Sequence, residues 1–278
     1  MDNDQLIDME PFFLEDGPGP LFCMRLGPRQ GRPRAQILYL HPFAEEMNKS
    51  RRMAALQARQ LAAKGYEVLQ VDLTGCGDSW GDFGDATWQR WQADGMLAAD
   101  WLRRRAPSVP LVLWGLRLGA SLAVEIGENR SDVAALLLWQ PVTDGDLFLN
   151  QFLRLKQMSD MLSERSSRAS VKSYRAQLLE GQPVEVGGYL LSPELALGIA
   201  NLQLKAAKPR KAVWIELISS PDLTASAASL ETIDHWRGCG CNVDLESVSG
   251  EPFWSTQEIS TCPELIEKNS SIIKRLAQ

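Results

Sequence analysis

The sequence predicts an α/β fold: a mostly parallel central sheet with helices on both faces and a helical lid insertion. Short β-rich runs alternate with amphipathic helical stretches, the pattern of a parallel sheet covered on both sides. The alternation stops after Trp139 and resumes only at Ala212. Between Leu111 and Glu128 a strand, a Gly-x-x-x-Gly turn and a helix follow one another directly. The chain accordingly divides into a core half over 1–143, the lid over 144–208 and a second core half over 209–278.

Pro11 to Leu14 and Leu21 to Leu26, separated by Gly17-Pro18-Gly19-Pro20, read as an antiparallel edge hairpin. Ala35 to Leu40 is a buried strand that ends at His41-Pro42, and Met47 to Lys64 has helical apolar spacing with Gly65 as its stop. A strand over Tyr66 to Val71, a glycine-rich loop over Asp72 to Asp85 and a helix from Thr87 to Arg105 repeat the unit. Leu111 to Trp114, the turn Gly115-Leu116-Arg117-Leu118-Gly119 and a helix over Ala120 to Glu128 make the third, and Val133 to Trp139 is a further strand. The lid reads as helices without strands, broken at Glu180-Gly181-Gln182-Pro183. Strand Ala212 to Ile218, a helix over Ala225 to Trp236, strand Asn242 to Val248 and a helix over Pro263 to Leu276 complete the fold.

The chain has 278 residues, 45% of them apolar and 23% charged, an ordinary globular composition. Its net charge of −6 argues against a phosphate-tracking nucleic-acid binder and against a polybasic membrane surface. The acidic start Met1-Asp2-Asn3-Asp4-Gln5 is unlike a secretory signal, and no apolar run is long enough for a membrane span, so a cytoplasmic location is expected. Cys23, Cys76, Cys239, Cys241 and Cys262 are odd in number and scattered, as reduced thiols are. Cys239-Gly240-Cys241 is too tightly spaced for a zinc knuckle, and neither a metal nor a cofactor is expected.

A strand, a sharp Gly-x-x-x-Gly turn and a helix are the context of a nucleophile elbow, where the turn brings strand and helix too close for Cβ atoms. With His41-Pro42 at the oxyanion-loop position and Asp72-Leu73-Thr74-Gly75-Cys76-Gly77-Asp78-Ser79 after the next strand, the order resembles the α/β-hydrolase superfamily. More narrowly, His41 to Met53, Asp72 to Ser79 and Trp114 to Gly119 resemble the exosortase A system-associated hydrolase 2 family. Gln151 to Leu155 and Gly187-Gly188-Tyr189 in the lid extend the match. That resemblance implies a bacterial protein accompanying PEP-CTERM sorting and exopolysaccharide systems.

The catalytic positions do not carry a Ser-His-Asp triad. The elbow residue is Arg117, flanked by Gly115 and Gly119, and a guanidinium cannot attack a carbonyl. The base should follow the last strand, where the chain reads Ser249-Gly250-Glu251-Pro252-Phe253-Trp254. Of the two histidines, His41 belongs to the oxyanion loop and His235 to a helix. Asp222 and Asp144 are both placed to be the acid, or to start turns. Ser121 falls inside the elbow helix. An unconventional centre would draw on His41, Glu45, Cys76 and Ser79, with Asp72 and Asp78 nearby; the alternative is that these fix turns.

What survives is an anion site, with Arg117 over a helix N-terminus beside Leu118, His41 and Trp254. Arg117 is equally able to pair internally with Glu45, Glu46 or Glu251. Trp80 and Trp254 fall at strand ends, suited to stacking or to plain packing. Three functions remain open: a non-hydrolytic binder of a small acidic or acylated ligand in a lidded crevice, an esterase or thioesterase with an unconventional centre, and a non-catalytic protein partner.

Overall fold

In a computed structural model, residues 7–162, 170–205, 210–219 and 224–276 are described. The hairpin pairs β1 (Ile7–Leu14) with β2 (Leu21–Pro28) antiparallel. β2 runs antiparallel to β4 (Glu67–Val71), which is parallel to β3 (Gln36–Leu40). β5 (Leu111–Leu116), β6 (Val133–Trp139), β9 (Lys211–Ile218) and β10 (Asn242–Ser249) continue the sheet in parallel. The eight strands lie in the order β1-β2-β4-β3-β5-β6-β9-β10, so the single swap of β3 and β4 puts β3 and β5 side by side. Oxyanion loop and elbow therefore emerge from neighbouring strands, as ligand sites at switch points of open sheets do.

α1 (Glu45–Ala63) and α8 (Pro263–Leu276) pack on one face through Met53, Ala58, Leu61 and Ile273 against Ile37, Val68 and Trp114. On the other face α2 (Trp88–Arg105), α3 (Leu118–Glu128) and α7 (Ala227–Gly238) cover Leu38, Leu40, Leu113 and Leu138. β3 and β5 are buried at every position because helices lie on both sides. Thr87 caps α2 by accepting the Arg90 N–H at 3.0 Å, which fixes the helix start that the sequence predicts.

The excursion after β6 contains α4 (Gly145–Leu162), α5 (Val171–Leu179) and α6 (Pro193–Ala200). It also holds a short antiparallel hairpin, β7 (Val184–Val186) with β8 (Tyr189–Leu191), which corrects the expectation of helices alone. Gly187 and Gly188, at φ 58° and 88°, make the two-residue turn that permits it. The excursion leaves and returns at one point, where Gly145 N–H meets the Leu202 carbonyl and Leu204 N–H the Thr143 carbonyl. Residues 163–169 and 206–208 of the expected lid lie outside the described residues. No helix among the described residues is long and apolar enough to cross a membrane.

Candidate active site

The elbow is intact in backbone and altered in side chain. A Cβ on Gly115 would sit 2.3 Å from the Gly119 carbonyl, and one on Gly119 would sit 2.3 Å from the Leu40 carbonyl and 2.4 Å from that of His41. Strand, helix and oxyanion loop meet there without space for a methyl group. Arg117 holds φ 55° and ψ −121°, a region costly for any residue with a Cβ. Among the described residues the only other non-glycine positive φ values belong to Ala44 (49°) and Gln140 (44°). All three stand at the C-terminal ends of β3, β5 and β6, so the backbone strain is concentrated around the elbow.

Arg117 is largely covered. Its Nε donates to Glu46 Oε1 at 3.2 Å, and its Nη1 lies 3.5 Å from the Gln140 carbonyl. The guanidinium carbon sits 5.5 Å from the Trp254 ring and 5.9 Å from that of Phe148. Burial raises the Glu46 pKa and Arg117 opposes the rise, while Glu46 Oε2 has no hydrogen-bond partner. Of the three carboxylates expected near Arg117, Glu46 is the one that pairs. Glu45 accepts from Tyr189 Oη and Asn48 Nδ2, each at 3.1 Å, and Glu251 is exposed. Trp254, buried and packed edge-on against Phe253, fills the segment after the last strand, where a triad would place its base.

The other candidates are tied into turns. His41 Nδ1 is 2.8 Å from the Pro42 carbonyl and Nε2 accepts the Leu73 N–H at 3.2 Å, which assigns the proton to Nδ1. Burial lowers its pKa despite the nearby Asp72 carboxylate, so the ring is held neutral with both nitrogens in use. Ser79 donates to the Asp72 carbonyl at 2.5 Å and accepts from Phe22 N–H at 2.8 Å. The Cys76 thiol is buried and its pKa is pushed up by that burial, the reverse of an activated nucleophile. Ser121 donates to the Val142 carbonyl at 2.7 Å. Asp72 holds Arg51 at 3.0 Å and accepts the Asp78 N–H. Asp144 accepts the Leu147 N–H at the start of α4, the turn-starting role. Asp222 lies outside the described residues. Trp80 covers Gly19 in the hairpin loop rather than the elbow, and His235, on α7, has its Nε2 3.8 Å from the sulfur of Cys239.

Two features escaped the sequence. Glu216, buried inside β9, accepts from Trp214 Nε1 (2.7 Å), Ser229 Oγ (2.6 Å) and Gln140 Nε2 (2.5 Å). Gln140 accepts in turn from Leu217 N–H and stands beside Arg117, so a polar network backs the elbow. A carboxylate within the apolar run Ala-Val-Trp-Ile-Glu-Leu-Ile was its available signal. The second feature is a roof of aromatic rings: Phe43 lies 4.9 Å from Phe152, 5.7 Å from Phe148 and 5.4 Å from Phe83, and Phe83 lies 5.0 Å from Tyr189. Under it, the hollow bounded by His41, Phe43, Leu118 and Gly119 leaves no water-sized space.

Sheet order, elbow and oxyanion loop define an α/β-hydrolase fold. Residues 31–195 match the serine aminopeptidase S33 family, and the chain belongs to that family. Human protein ABHD12B is 32% identical over 135 residues, 47% of this chain and 35% of that protein. Mouse lysophosphatidylserine lipase ABHD12 is 30% identical over 114 residues, 40% of this chain and 27% of that protein. The match thus spans about a third of the length of these relatives. The esterase Est1E of Butyrivibrio proteoclasticus, solved with ferulic acid, superposes at TM-score 0.65 with 12% identity, covering 95% of this chain and 96% of that one. A carboxyl esterase of Bacillus coagulans superposes at 0.62 with 13% identity, covering 98% and 99%. At these identities the superpositions speak to the fold. Among the described residues no group of three or more His, Cys, Asp or Glu is placed to hold a metal ion.

Proposed function

We propose that this protein is a non-hydrolytic α/β-hydrolase-fold binder of the exosortase-A-associated type, which takes a small acidic or acylated ligand at Arg117 beneath a lid formed by 144–208. The observation that carries this is Arg117 in the nucleophile's place, held in the strained elbow geometry between Trp254 and Phe148. An acyl-enzyme needs a nucleophile and a base within hydrogen-bond reach of each other. Arg117 supplies no nucleophile, and His41 has no free nitrogen.

Arg117 Nη2 has no hydrogen bond among the described residues, so a ligand carboxylate or phosphate can join Glu46 on the same guanidinium, or displace it. An acyl chain has the aromatic roof to lie against. Entry requires that roof to lift, and Tyr189, hydrogen-bonded to Glu45 and Asn48, is the latch between β8 and α1. Several relatives are lysophosphatidylserine lipases by name, and an acidic lysolipid belongs to the ligand class this chemistry suits. The motifs His41 to Met53, Asp72 to Ser79 and Trp114 to Gly119 support the exosortase, PEP-CTERM and exopolysaccharide setting. Five cysteines outside any disulfide fit a cytoplasmic location.

Titration calorimetry with lysophosphatidylserine tests the reading. Saturable binding is expected, weakened in Arg117→Ala by about 1.5–3 kcal/mol, the scale of a hydrogen bond to a charged group. Equal affinity in wild type and variant would remove Arg117 from the site. A protein partner that binds through the same lid would instead appear on co-purification, and its loss in Arg117→Ala would favour the partner function.

A further inference from the structure

A cleft that the elbow chemistry does not use lies on the α1 face of the sheet. Between α1 and the β1–β2 hairpin runs a cleft of about 230 Å³, walled by Met9, Met24, Leu26, Met47, Ala54 and Ala55. Alternation along β2 sends Phe22, Met24 and Leu26 to this one face, and Gln70 on β4 stands in register with Met24. Two alanines on the facing side of α1 leave the gap unfilled. Three methionines line it, and flexible thioethers adapt to an apolar guest.

Its charges are arranged unequally. At one end Asp72 holds Arg51 at 3.0 Å, a closed pair with no net charge to offer. At the other, Arg59 opens onto an adjoining hollow of about 360 Å³ shared with Ile7, Asp8, Met9 and Arg29. Asp8 is drawn to Arg25 at 3.1 Å, and neither Arg29 nor Arg59 has an ion pair among the described residues. From Arg51 to Arg59 along α1 is roughly 12 Å at about 1.5 Å per residue. The cleft is therefore a one-chain slot, apolar along its length and cationic at its mouth.

We propose that this cleft is a second ligand site, for a single-chain aliphatic carboxylate whose head group meets Arg59 and Arg29 while its chain lies along Met9, Met24 and Leu26. Arg117 is not among the residues that line the cleft, although His41 borders both the cleft and the hollow at the elbow.

Titration of the protein, labelled with carbon-13 at its methionine methyl groups, with decanoate, decanol and decylamine tests it. Saturable shifts at Met9, Met24 and Met47 are expected with decanoate, while Met96 and Met158, remote from the cleft, stay still. Decanol should bind at least tenfold more weakly and decylamine more weakly still. Arg59→Gln should lose tenfold or more for decanoate with decanol unchanged; Arg117→Ala should leave decanoate binding intact, and Ala55→Trp should abolish it. If Ala55→Trp fails to fold, the methionine shifts and Arg59→Gln still decide. Equal binding of decanoate and decanol, shifts spread over all methionines, or loss in Arg117→Ala in place of Arg59→Gln would overturn the proposal.

Discussion

The elbow and the cleft beside the hairpin are opposites in construction. Around the elbow the backbone is strained at Ala44, Arg117 and Gln140, the rings of Phe43, Phe148 and Phe152 fill the space, and the one arginine is paired. Along α1 no non-glycine residue among those described has positive φ after Ala44, space is left open, and Arg59 has no ion pair with a described residue. Strain persists only where surrounding packing over-determines it. The elbow thus combines strained backbone with filled space, and the α1 cleft combines relaxed backbone with open space.

The contrast breaks most sharply at the glycines. Gly119→Ala forces a methyl into two backbone carbonyls 2.3 and 2.4 Å away, which cannot retreat as a side chain would. A loss of about 3 kcal/mol or more, at or beyond the top of the usual overpacking range, is expected in urea denaturation. A cost below 1 kcal/mol would mean that strand and helix do not meet this closely.

The two arginines come next. Arg117→Ala strands a half-buried Glu46, and a cost of about 1–3 kcal/mol is expected, between exposed and fully buried ion pairs. Arg59→Gln should stay within about 0.5 kcal/mol, as surface changes do. Similar values for the two would erase the distinction between a paired and a free cation. Arg117→Ser should not hydrolyse p-nitrophenyl esters, since both ring nitrogens of His41 are engaged and His235 lies on α7. Turnover there would show that His41 can leave Leu73 and reach the elbow.

A smaller effect comes from pH. Burial depresses the folded-state pKa of His41 below its ordinary value of 6.5, so the unfolded chain takes up the proton first. The contribution is fully present above 6.5 and is lost as pH falls from there through the folded value. His41→Gln, which keeps an acceptor for the Leu73 N–H, should show a shallower loss of stability over that window. Parallel curves would mean that His41 is solvated in the folded protein.

Much of this was legible in residues. Gly115 and Gly119 announced the elbow, Pro and Gly the edge hairpin, and Thr87 the start of α2, because each acts within a few neighbours. The β7–β8 hairpin was not, because strands of three residues give too few alternations to outweigh the helical patterns on either side. Arg117 and Glu46 were both named from sequence, but 71 positions separate them and only folding chooses Glu46 over Glu45 and Glu251. The cleft was invisible for a related reason: it is a gap, set by how far α1 stands from a hairpin that precedes it in the chain.

The central claim is that the elbow carries no nucleophile. Incubating wild-type protein with a fluorophosphonate and mapping the adduct by peptide mass spectrometry tests it most directly. No label above that of the heat-denatured protein is expected. Stoichiometric labelling of Ser79, Ser121 or any other crevice serine would contradict it and restore a working hydrolase.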